Sequence, residues 1–122
     1  MKKLSSVLAL SLLFATTAFA HGNTKPLHGG ELKMVGELTF ELVNKAGVVE
    51  LYVVDDGEDV DSAAATAKLI IASGGNKTEV ALQSAGGNKF EAKTKIASGA
   101  QVTVLYTDKT TQAKTTASFT IQ

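Results

Sequence analysis

From Leu38 to Ile121 the apolar residues recur at alternate positions, and this period of two constrains the fold more than any other feature of the chain. Leu38, Phe40 and Leu42 point one way while Thr39 and Glu41 point the other, the mark of a half-buried strand. Val48 to Val54 is apolar on both faces around Leu51, Tyr52 and Val53 and is predicted to run centrally in a sheet. Further strands are predicted over Thr66–Ala72, Lys77–Gln83, Lys89–Lys93, Gln101–Thr107 and Ala113–Ile121. The turns between them carry the residues that tight reversals need. Ser73-Gly74-Gly75-Asn76 fits a two-residue hairpin, Ala85-Gly86-Gly87-Asn88 a longer one, and Lys95 to Ala100 a passage between sheets. Asp61-Ser62 is placed to cap a single helical turn. Short strands at this spacing predict an immunoglobulin-like antiparallel β-sandwich of 7–8 strands, following a signal peptide that is cleaved.

That signal peptide is read from Met1-Lys2-Lys3, the apolar run Leu4 to Phe14 and the small-x-small site Ala18-Phe19-Ala20. The run is short for a membrane span, which takes roughly 20 apolar residues, and no second run follows. With no cysteine there is no attachment point for a lipoprotein anchor. The expectation is a soluble, periplasmic protein with no membrane insertion after cleavage: residues 1–20 as signal peptide, 21–30 as a flexible leader carrying both histidines, and 31–122 as the β-sandwich domain. Lys2 and Lys3 leave with the signal, so ten lysines face twelve acidic residues, a net charge of −2. Arginine is absent. A nucleic-acid partner is therefore excluded, since such proteins need a basic face and use arginine forks.

The course of the first strand decides which residues share an end of the domain. A reversal at Val35-Gly36 would ask a β-branched residue for a positive φ, which is sterically costly. A glycine bulge in one continuous, bent strand is cheaper. The chain is thus predicted to run from Gly30 to Val43, turn at Asn44-Lys45-Ala46-Gly47 and return to Val54. Asp55 then lies at the same end as His28; a true hairpin at Gly36 would put the two at opposite ends.

Candidate chemistry centres on His28, flanked by Gly29-Gly30, with His21 and with Asp55 and Asp56 from the acidic stretch Asp55–Asp61. Neutral imidazole is the commonest transition-metal ligand, and two histidines with one or two carboxylates suit Cu(II), Zn(II) or Ni(II). Cleavage after Ala20 would leave His21 with a free α-amino group, able to close a chelate ring. The acidic stretch offers hard oxygen ligands for calcium, without EF-hand spacing. Nothing matches a nucleophile elbow, a phosphate loop or a dinucleotide fingerprint, so the chain is read as a non-enzyme. A metal-free interaction module of the cell envelope is the alternative reading.

His28-Gly29-Gly30, Leu38-Thr39-Phe40-Glu41-Leu42-Val43, Leu51-Tyr52-Val53-Val54-Asp55-Asp56-Gly57 and Ala85-Gly86-Gly87-Asn88-Lys89-Phe90-Glu91-Ala92 occur in this order. Together they resemble small exported proteins associated with heavy-metal efflux systems, and a β-domain of some periplasmic efflux adaptor subunits. The resemblance implies a periplasmic β-sandwich that handles Cu, Zn, Co or related cations, with His28 as a ligand; the metal-free alternative docks on a periplasmic efflux adaptor or another envelope protein. It also implies a histidine where this chain has Asp56, a harder ligand that shifts metal preference.

Overall fold

A computed structural model describes residues 25–122. His21 and the expected signal peptide lie outside the described residues. The described chain is all-β, with nine antiparallel strands and no α-helix. In chain order they are β1 (Glu31–Val35), β2 (Leu38–Lys45), β3 (Val48–Asp55), β4 (Glu58–Asp59), β5 (Ala65–Ser73), β6 (Asn76–Ser84), β7 (Lys89–Ala92), β8 (Gln101–Asp108) and β9 (Lys114–Thr120). Hydrogen bonds link them in the order β1-β2-β3-β7-β6-β5-β8-β9, with β4 folded onto β3, so the sheet is nearly closed on itself. Partway along its length β6 changes partner: Asn76 to Leu82 pair with β5, then Gln83 and Ser84 pair with β7. No helix among the described residues is long and apolar enough to cross a membrane.

The strands from β2 onward form where the alternation predicts them, apart from the short, exposed β4, and their apolar faces fill one core. Phe40, Val49, Leu51, Val53, Leu69, Val102 and Val104 are completely enclosed. Each such side chain contributes about 1.5–3 kcal/mol by leaving water. The rings of Phe40 and Phe90 meet Tyr106 edge-on, at centroid separations of 5.7 and 6.3 Å. Ser73 and Asn76 close the predicted glycine hairpin as a pair. Asp61 caps one turn of 3₁₀ helix, Ser62–Ala64, by accepting the N–H of Ala63 at 2.9 Å.

The opening strand departs from expectation. Gly36 is not a bulge but part of a tight hairpin, with Val35 paired to Leu38 and Glu31 to Leu42. The positive φ falls on Gly36 itself (φ 61), at the first central position, where a type II′ turn needs glycine. Val35 stays in the strand and is asked for nothing costly. As a result β1 runs back along β2, and Gly30 enters beside Leu42 and Val43 rather than near Asp55, which pairs with Leu38 at the turn end. The shared His28–Asp55 end does not form.

A second departure concerns the face of β2 and β3 that points away from the core. Thr39 and Glu41 do point outward, yet they are as enclosed as core residues, at 3% and 5% exposure, and so is Glu50 on β3. Residues preceding β1, expected as a flexible leader, are bonded to this face at Leu27, His28 and Gly30.

Candidate functional site

The site is built on one cross-strand pair, Glu41 of β2 opposite Tyr52 of β3. Odd-numbered positions of β2 and even-numbered positions of β3 face away from the core, so the carboxylate and the phenol ring stand side by side on the outer surface. His28 closes over both. Its imidazole lies flat on the Tyr52 ring, with centroids 3.5 Å apart and planes 2° from parallel. Its Nδ1 is 2.9 Å from Glu41 Oε1.

Backbone donors complete the cage. The N–H groups of His28 (2.8 Å) and Gly30 (2.9 Å) donate to Glu41 Oε2, and that of Leu27 (3.2 Å) to Oε1. The two glycines after His28 make this wrapping possible. A Cβ on Gly30 would lie 2.5 Å from the Leu42 carbonyl oxygen and 2.7 Å from Val43 Cγ2, so only glycine lets the chain come this close to β2.

The electrostatics follow from the cage. Burial opposes ionisation of Glu41, but the His28 ring and the N–H groups of Gly30, His28 and Leu27 outweigh it and hold the carboxyl below its ordinary range. A carboxylate only accepts, so Nδ1 of His28 donates to Glu41, and in the neutral form of the ring the lone pair lies on Nε2. The His28 side chain remains 38% exposed. The pair therefore holds the imidazole fixed through Nδ1, with Nε2 directed away from the carboxylate.

Next along this face is a second enclosed carboxylate. Glu50 is held by Lys45 Nζ at 2.8 Å and Lys89 Nζ at 2.6 Å, and Lys89 also approaches Glu91 at 3.6 Å. The Lys45 and Lys89 ammonium groups pull the Glu50 carboxyl below its usual value against the effect of burial. Because both Glu41 and Glu50 bind protons less readily folded than unfolded, their contribution to stability is complete above the ordinary carboxylate range. It is lost as acid drops through the depressed folded values. Melting temperature should thus be level from neutrality to about pH 5 and fall steeply below about pH 4. Glu41→Gln and Glu50→Gln should each flatten that fall. An unaltered acid limb in both variants would show that other carboxyls set it.

The other sequence-predicted ligands are not brought here. Asp55 lies three residues beyond Tyr52 on β3, roughly 10 Å along the strand and on the opposite face. Asp56 opens the tight β3–β4 turn with φ 49, its N–H donating to the Glu37 carbonyl at 2.8 Å. The acidic stretch is a hairpin and a cap rather than a chelating loop, with Asp55 paired to Glu58 and Asp61 engaged at the 3₁₀ turn. Among the described residues no group of three or more His, Cys, Asp or Glu side chains is arranged to hold a metal ion. Glu41 and Tyr52, the two partners of His28, were missed by sequence reasoning. The one available signal is a glutamate embedded in an otherwise apolar strand.

No protein-family model matches this chain, and no curated protein or solved structure is significantly similar to it.

Proposed function

We propose that the chain is an exported, periplasmic metal-binding accessory protein of the Cu or Zn type, acting in metal homeostasis or efflux through His28. The observation that supports this reading is the His28–Glu41 pair. Metal-ligating histidines almost always donate their second ring N–H to a carboxylate or carbonyl, which fixes the tautomer and makes the free nitrogen a better donor. One imidazole does not complete a coordination sphere. His21 and the α-amino group released by cleavage after Ala20 are the ligands this reading adds, and Asp55 and Asp56 drop out of it. Export and the immunoglobulin-like sandwich belong to the same reading; the passage of β6 from β5 to β7 is what a strand shared between two layers does.

Titration of the processed protein with Cu(II) and Zn(II) tests the proposal. Saturable binding should vanish in His28→Ala and weaken about 10–100-fold in Glu41→Gln, which keeps the side chain's size but not its charge. Bound metal should also raise the melting temperature by mass action. Equal, weak binding by all three proteins would end the metal reading. The second reading, a metal-free module docking on an efflux adaptor or other envelope protein, is favoured by the exposure of Leu27 and Met34, the large apolar side chains left uncovered among the described residues. It predicts capture of an envelope partner that Met34→Ser abolishes and metal leaves unchanged.

A further inference from the structure

At the end of the molecule away from Gly30, two cross-strand pairs face one another across the mouth of the core. Leu38 and Asp55 are partners on β2 and β3, and Tyr106 and Thr115 are partners on β8 and β9. Between them lies a pocket of about 270 Å³, completed by Asp108, Thr111 and Ala113. Tyr106 belongs to the core by its ring and is only 5% exposed. Its ring lines this pocket, and burial together with the Asp108 and Asp55 carboxylates raises the phenol above its ordinary range, which sets both carboxylates near its hydroxyl. The Asp55 carboxylate stands exposed at the end of β3, on the rim of the pocket. Asp108 Oδ1 accepts the N–H groups of Thr110 (2.7 Å) and Thr111 (3.0 Å), which fix that carboxylate at the rim.

We propose that this pocket binds a primary alkylammonium ion. The three N–H donors of such an ion match three oxygen acceptors, on Asp55, Asp108 and Tyr106, and its alkyl stem matches the apolar wall of Leu38 and Ala113. A bare calcium ion fits less well, because it seeks six to eight oxygens and only two carboxylates line the space. The surroundings favour a cation. Glu37, Asp56 and Glu58 crowd the adjacent turns, and Lys109 is committed to the Ala63 carbonyl at 2.9 Å. The ammonium is that of a free amine or of a lysine side chain on another polypeptide; the chemistry is common to both.

The test is titration of the full chain with n-butylamine, n-butanol, calcium and N-acetyl-lysine amide, followed by backbone amide shifts. Butylamine should bind saturably and move the amides of Leu38, Asp55, Tyr106, Thr111 and Thr115, while butanol does not. Affinity should fall about tenfold in Tyr106→Phe, which keeps the ring packing, and in Asp55→Asn. Tighter binding of the lysine derivative than of butylamine assigns the ammonium to a polypeptide, and weaker binding assigns it to a free amine. The proposal is overturned if butanol binds as well as butylamine, if calcium alone shifts these amides, or if neither substitution changes the affinity. Shifts spread over the whole surface of the unmodified chain would overturn it too, whatever becomes of the variants.

Discussion

Glu41→Ala is expected to lower the free energy of unfolding by about 3 kcal/mol, the range for breaking a buried, hydrogen-bonded charge. At the size of this domain that is a fall in melting temperature of more than about 10 °C. The reason is that one carboxylate satisfies four donors at once: the N–H groups of Leu27, His28 and Gly30 and Nδ1 of His28. Without it those donors face an apolar hole, and the cheapest relief is for the chain before β1 to lift away and rehydrate. Stability and local order should therefore be lost together. Amide exchange at Leu27, His28 and Gly30 should accelerate, and the ring-current shift of His28 over Tyr52 should collapse while the core strands stay protected. A variant that melts within a degree or two of the parent, with the His28 shift intact, would refute the cage as a source of stability.

The second large effect is expected from Gly30→Ala, which adds a single methyl group. That methyl would sit 2.5 Å from the Leu42 carbonyl oxygen, and Leu42 is registered against both Glu31 and Leu51, so the strand cannot retreat without breaking ladders on either side. Overpacking of this kind costs about 1–3 kcal/mol. The loss of the Gly30–Glu41 hydrogen bond should bring the total toward the top of that range. Gly29→Ala is the informative comparison. Gly29 has open space around its Cβ position but a φ of +75, so its substitution should cost only the backbone strain, about 1–2 kcal/mol. Thermal or urea unfolding of the two variants ranks them directly. A Gly29 variant weaker than the Gly30 variant would mean that conformation, not close approach, is what this pair of glycines supplies.

The strands were legible because their information is local. Alternation at Leu38–Leu42 and at Val102–Tyr106 needs no knowledge of the partner strand, and the Gly-Gly hairpin after Ser73 is written in four consecutive residues. The expected bulge at Gly36 went astray on a narrower point. The steric argument against a positive φ at Val35 was sound, but the turn is shifted by one residue, and glycine takes that position instead. That shift reversed the direction of β1 and with it the end of the domain at which the leader arrives. His28, expected beside Asp55 and Asp56, has Glu41 and Tyr52 as its companions instead.

The amino-acid sequence by itself thus determined which longer segments become strands, where the chain reverses after β2, and which side chains face the core. A period of two sorts every strand residue onto one face or the other. What it leaves open is whether the outward face meets water or another part of the chain. Only the tertiary structure decided that Glu41 is enclosed, because the groups that enclose it lie 11 to 14 residues earlier and act through backbone N–H groups that every non-proline residue carries. Donors common to the whole chain leave no mark in the order of side chains; their use here depends on the turn at Gly36 and the absence of a Cβ at Gly30.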